Sequence, residues 1–265
     1  MTIRRSWTRE DHIVALHLYQ TLPFGSFDQR NSEIIKYSGL INRTPSALAM
    51  KLSNLASLDP MIIESGRKGL SGASKGDQLI WKEMNEDWSK FSIEIEKTIS
   101  RLIQRNPTII DDPFADGIDD ISIEKDFTGE EKTVVTKARV GQRSFRSAVL
   151  SAYNNQCCMS GLSVQKLLVA SHIVPWKDDP KIRLHPRNGL PLSMIHDKAF
   201  DLGIITVTND LKILVSKKYH SKDDGFFKSS LLKFDGESLT LPNKFSPKPE
   251  FLERHRDEIF ESKVA

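Results

Sequence analysis

Leu168-Val-Ala-Ser-His-Ile-Val-Pro-Trp176, Lys177-Asp-Asp-Pro-Lys-Ile-Arg-Leu-His-Pro-Arg187 and Asn188-Gly-Leu-Pro-Leu-Ser-Met-Ile-His-Asp-Lys-Ala-Phe-Asp-Leu-Gly203 run consecutively and decide how this chain is read. The first is an apolar run carrying one histidine, the second a polar loop, and the third begins with Asn-Gly and ends on a segment with His196, Asp197 and Asp201. Apolar runs of this length bounded by turn residues read as strands, and the last segment has helical periodicity. A strand, a loop, a second strand and a helix are therefore expected to converge on one pocket.

The residue types in that pocket suit hydrolysis of a phosphodiester, which needs a base to activate water and a cation to hold the charge that develops. His172 is the candidate base, because an imidazole with a pKa of about 6.5 is largely neutral at working pH. Asn188 can fix the opposing loop, since an amide bonds backbone donors and acceptors without titrating. On a helix beginning near Ser193, Asp197 and Asp201 share a face by their i,i+4 spacing. Paired carboxylates suit Mg²⁺, which takes oxygen ligands and keeps several waters.

The segments Ser-His-Ile-Val-Pro-Trp (171–176), Arg-Asn-Gly-Leu-Pro-Leu (187–192) and His-Asp-Lys-Ala-Phe-Asp-Leu-Gly (196–203) resemble the HNH endonucleases of the ββα-metal superfamily, in particular their restriction-type branch. The resemblance runs from about Thr136 to Phe260. It implies that His172 is the general base, Asn188 the motif asparagine and His196 the nearest candidate for the last motif histidine. It places Asp197 and Asp201 at the metal-binding helix positions, with His196 either a further ligand or a phosphate contact. It implies Mg²⁺ or Mn²⁺ as cofactor, double-stranded DNA as partner, and products with 5′-phosphate and 3′-hydroxyl ends. Relatives often carry Asp or His immediately before the base; this chain has Ser171 there. Arg139 to Tyr153 resembles the helix that precedes the nuclease core, and Pro247 to Arg256 its closing helix.

Composition sets the remaining bounds. The 265 residues are 38% hydrophobic and 28% charged, in the range of globular proteins and long enough for two domains. No apolar run approaches the roughly 18 residues of a membrane span, and no signal-type stretch opens the chain, so a cytoplasmic protein is expected. Cys157 and Cys158 are adjacent and are the only cysteines, which leaves too few ligands for a closed structural zinc site. The charge is unevenly placed: residues 137–265 carry 21 Lys and Arg against 14 Asp and Glu, residues 101–136 carry 4 against 9, and residues 1–100 carry 13 against 12. The positive excess falls in the expected nuclease region, with the sign a phosphate-binding surface needs. Arg139, Arg143, Arg146, Arg183 and Arg187 are its candidate nucleic-acid contacts.

Upstream, Thr8 with Asp11 three places on predicts a helix start, and Leu22-Pro23-Phe24-Gly25 its end. A second helix is expected near Asn31 to Ser38, and a third from Thr44 as cap and Pro45 at the first turn. Three short helices suggest a helix-turn-helix-like unit, with Arg43 and Lys51 as candidate nucleic-acid contacts. Its wording also resembles an N-terminal domain that accompanies some restriction-type HNH nucleases. The glycine-rich loop 66–76 places Arg67 and Lys68 where cations and backbone amides can grip phosphate, or is a plain surface connection. A helix is then expected from Asp77 past Trp81 and Trp88 toward Gln104.

The expected architecture is α+β: a mainly helical N-terminal domain over 1–104 that reads DNA, an acidic linker over 105–135, and a ββα-metal nuclease domain over 136–265. Within the last, Ile204–Thr208 and Leu211–Ser216 predict a hairpin. The expected activity is metal-dependent DNA cleavage with sequence- or modification-dependent recognition. A DNA-binding regulator with a degenerate nuclease domain and an RNA- or structure-specific nuclease are the alternatives. Because one such site cuts one strand, a homodimer is a possible working form.

Overall fold

The computed structural model describes residues 5–66, 69–106 and 129–260, with side chains in the helix 129–152 described from Gly141 onward. The chain divides into two compact units, residues 1–144 and 145–265.

The first unit is helical. α1 (Arg9–Thr21) starts at Thr8, whose hydroxyl accepts from Asp11 N while the Asp11 carboxylate accepts from Thr8 N, a complete capping box. Its residues from Asp11 to Gln20 are all buried, so α1 is the central helix rather than one face of a bundle. Packed on it are α2 (Ser32–Leu40), α3 (Pro45–Ala56), α5 (Lys75–Glu86) and α6 (Trp88–Arg105), with a short α4 (Pro60–Glu64) after α3. Asn31 caps α2 and Thr44 caps α3. The single helix expected from Asp77 toward Gln104 is two helices: Asp87 sits at φ −150°, ψ 85°, outside the helical region, and its carboxylate caps α6 through Lys90 N.

A buried charge cluster ties these helices together. Asp77 has no exposed surface and accepts from Lys51 Nζ at 2.8 and 2.9 Å, with His12 Nε2 3.2 Å away. Ser74 adds its backbone N–H and its hydroxyl. Burial alone would raise the Asp77 pKa, but the bonds from His12, Lys51 and Ser74 outweigh it and hold the carboxyl well below its usual range. Two cations lie over the Trp7 ring, Lys51 at 4.5 Å and Arg43 at 4.6 Å from its centroid, and Arg43 also binds Asp11 at 2.8 Å.

α7 (Gly129–Ala152) runs across the division. From Phe145 it packs under a two-stranded antiparallel sheet, β1 (Leu168–His172) and β2 (Gly189–Ser193), paired so that His172 faces Gly189 and Leu168 faces Ser193. A Cβ at Gly189 would stand 2.4 Å from Val149 Cγ2 and 2.7 Å from Phe145 Cζ. Gly189 is therefore a clearance residue at the start of an extended strand. β2 leads directly into α8 (Met194–Asp201), capped by Ser193. The predicted hairpin is present as β3 (Ile205–Val207) and β4 (Ile213–Val215), though Leu211, at φ 59°, takes the left-handed turn position rather than Asn209 or Asp210. α9 (Gly225–Ser230) follows, and α10 (Pro249–Glu258) closes the unit, where His255 stacks on Phe200 at 3.7 Å and bonds Thr206 and the Phe200 carbonyl.

Removing one partner of a buried ion pair strands the other charge. Lys51→Ala should lower stability by about 3–5 kcal/mol, read as a shifted urea midpoint. Because the Asp77 pKa is depressed, its contribution is present above the ordinary carboxylate range and is lost as pH falls, so wild type and Lys51→Ala should converge on acidification.

Candidate active site

Asn188 fixes the frame. Its side chain is fully buried, Oδ1 accepts from Val174 N at 2.8 Å, and Nδ2 donates to Val174 O at 3.1 Å. Ile173 N donates to the Asn188 carbonyl at 3.0 Å, so backbone and side chain of one residue hold the exit of β1 against the entry of β2. This is the loop-fixing role that an amide allows.

His172 stands at that exit. Its Nε2 lies 2.8 Å from the Arg183 carbonyl; a carbonyl only accepts, so Nε2 carries the proton and the lone pair is on Nδ1. Phe145 stacks on the imidazole at 4.2 Å and 10°, and Trp176 meets it edge to face at 5.5 Å. Burial lowers the His172 pKa, offset in part by the carbonyl bond. The ring is thus held neutral, in one tautomer and one orientation.

Ser171, the neighbouring strand residue, is buried with Oγ making no geometric hydrogen bond, yet it is near enough to Asp197 to favour that carboxylate's charge. Burial nevertheless raises the Asp197 pKa, and the negative charge of Asp201 raises it further. Burial likewise raises Asp201, with Lys198 opposing. α8 therefore carries both carboxylates one turn apart, with the Ser171 hydroxyl beside Asp197 and Lys198 opposing the rise at each. Their oxygens are the kind of donor a divalent cation takes, and Asp197, Asp201 and the Ser171 hydroxyl would be the groups to hold one. Among the described residues no three His, Cys, Asp or Glu side chains form a metal cage.

His196 is placed differently from its expected role. Its Nδ1 lies 2.9 Å from Ser193 Oγ and 3.5 Å from Cys157 Sγ, and its Nε2 donates to the Ser230 carbonyl at 2.8 Å. Burial lowers its pKa, but Cys157 and Ser230 outweigh that and raise it, while the Cys157 thiol, although burial pushes it up, is brought down to about 7 by His196, Ser160 and Met159. Both ring nitrogens are engaged, so the structure uses His196 to pin the first turn of α8 rather than to offer a ligand beside the carboxylates. Sequence reasoning missed Cys157, Phe145 and Trp176; the Cys157–Ser160 and Ser193–His196 spacings were the available signal for the first.

The basic residues divide. Arg146 donates to the Leu168 and Gln165 carbonyls, and Arg187 Nε to Ser246 O. Arg183 lies over Trp176 at 4.7 Å. In the first unit Arg43 and Lys51, with side chains 11% and 5% exposed, are drawn into the ion pairs with Asp11 and Asp77, because a buried carboxylate must be paired. They present no cation for phosphate. The side chain of Arg139, and Arg67 and Lys68, lie outside the described residues.

A buried imidazole, a carboxylate pair on the following helix and the order strand, strand, helix lie within one segment of the chain. Residues 157–208, roughly a fifth of the chain and the segment holding His172, Asn188, His196, Asp197 and Asp201, match the family model described as HNH endonuclease. That match supports an HNH-superfamily domain in this chain and implies a nuclease, a nucleic-acid substrate and the divalent metal such nucleases generally use. No curated protein matches the chain. No helix among the described residues is long and apolar enough to cross a membrane.

A carboxyl whose pKa is raised on folding opposes stability at neutral pH. Asp197→Asn should therefore raise the thermal midpoint of metal-free protein, and remove the further rise that millimolar Mg²⁺ or Mn²⁺ gives wild type. A lower midpoint without metal would contradict the repulsion between the two carboxylates.

Proposed function

We propose that the chain is a metal-dependent DNA endonuclease of restriction type, with His172 as general base and Asp197, Asp201 and the Ser171 hydroxyl holding the cation. The reading rests above all on His172: its proton is committed to the Arg183 carbonyl, which leaves Nδ1 to take a proton from water. The attacking water loses that proton as it approaches phosphorus in line with the leaving 3′ oxygen. Phe145, stacked on one face, and Trp176, meeting it edge to face, hold the ring. Asn188 maintains the register between base and metal-side residues. A bound Mg²⁺ or Mn²⁺ supplies charge stabilisation for the leaving oxygen.

We assign recognition to residues 1–104 and cleavage to residues 136–265; the acidic linker expected over 105–135 falls for the most part, at 107–128, outside the described residues, and its last residues begin α7. The α2–α3 pair is read as helix-turn-helix-like, and with Arg43 and Lys51 withdrawn its readout falls to exposed positions such as Ser46 and Met50. Cutting both strands of a duplex calls for two copies or two successive events.

The test is incubation with Mg²⁺ or Mn²⁺ on matched plasmids, unmodified and carrying methylated or hydroxymethylated bases. His172→Ala should lower cleavage by at least about 10²-fold while duplex affinity stays within a few-fold. The wild-type rate should rise with pH along a limb below the ordinary imidazole value of about 6.5, since the His172 pKa is lowered and the neutral ring is the active form. Cleavage of RNA alone, or binding without cleavage, would replace this reading.

A further inference from the structure

Arg183 stands apart from the other described basic residues around the site. Arg146 and Arg187 spend their guanidinium groups on backbone carbonyls of their own unit. Arg183 donates no side-chain hydrogen bond to any described residue, and its Nε is buried without a partner. A buried donor left unpaired is uncommon and needs an explanation; the residue as a whole is only half-buried, so an acceptor that arrives later is not shut out of the rest of its guanidinium. Its guanidinium is nonetheless fixed, lying 4.7 Å from the centroid of the Trp176 ring, and Trp176 is the residue that packs against His172 at 5.5 Å. The Arg183 carbonyl meanwhile receives the His172 Nε2 proton at 2.8 Å. One residue thus orients the base through its main chain and holds an unspent cation beside it through its side chain.

We propose that Arg183 is a catalytic residue that grips a non-bridging oxygen of the scissile phosphate, with Trp176 as the plate that aims it. This rests on the nuclease reading above. Phosphate anions are the acceptors that a planar guanidinium fork matches best, and stacking on an aromatic face leaves the fork's edge free to bind them. As water adds to phosphorus, negative charge on the non-bridging oxygens grows, and a pre-oriented guanidinium stabilises the transition state more than the ground state. The proton goes to His172, the bond to the 3′ oxygen breaks and that oxygen takes a proton from solvent water; Arg183 exchanges no proton.

Arg183→Ala, Arg183→Gln and Arg183→Lys test it, with thermal midpoints measured for each to establish folding. Arg183→Ala should lower kcat about 10²-fold with KM changed only a few-fold, and Arg183→Lys, which keeps charge without the fork, should fall between. Guanidinium ion at millimolar concentration should restore part of the Arg183→Ala rate and none of the His172→Ala rate. The acid limb of the pH profile should stay in place, because the carbonyl that orients His172 is unchanged. Duplex binding in Ca²⁺ should show the slope of log Kd against log salt reduced by about 0.9, one phosphate's worth. An unchanged kcat, or a loss wholly in KM, would overturn the assignment. If wild type cleaves no nucleic acid, the nuclease reading fails by itself, and an unchanged salt slope in Arg183→Ala would then overturn the phosphate contact as well.

Discussion

The Asn188 amide, clasped on both sides by the backbone of Val174, is the contact on which the candidate centre depends. It is fully buried, where an unpaired amide would be costly, and the peptide of Val174 satisfies both its donor and its acceptor. Through it the loop after β1 cannot slide along the entry to β2. His172 is the last residue of β1 and faces Gly189, so the same clasp sets where the imidazole stands. Gly189 completes the constraint from below: the absence of a side chain lets Phe145 and Val149 come close enough for Phe145 to stack on the ring.

Around this frame the protein separates groups that must be quiet from groups that must be ready. His196 and Cys157 share their polar atoms with Ser193, Ser160 and the Ser230 carbonyl, and hold the start of α8. Asp197 and Asp201 on the same helix are both raised by burial, and the charge of Asp201 adds to the rise at Asp197, an unfavourable arrangement that the proposed cation would offset. Stability is given up locally at a site and recovered in the surrounding packing, here in the cluster of Phe145, Val149 and Leu184 with Ala170 and Trp176.

The helical unit solves a different problem by similar means. Asp77 is a single buried carboxylate on which α1, α3 and the approach to α5 converge through His12, Lys51 and Ser74. That convergence accounts for why Lys51, a polar position on paper, is structural in space, and the buried Asp11 carboxylate does the same for Arg43. Periodicity places a residue on a helix face, but it does not say whether a carboxylate from a segment 26 residues away will draw that face inward.

Much was legible in the sequence because it is local. The caps at Thr8 and Thr44, the order strand, loop, strand, helix, and the shared face of Asp197 and Asp201 all follow from residues within a few positions of one another. The break at Asp87 was missed because apolar spacing continues across it, and the capping aspartate outweighs that signal. What only the tertiary structure decided are the interactions between distant residues: the tautomer of His172, fixed by a carbonyl 11 residues on, and the diversion of His196 to Cys157 and Ser230, 39 and 34 residues away. Hydrogen-bond partners and burial are properties of the folded arrangement, and they decide which of several chemically able side chains is still free to act.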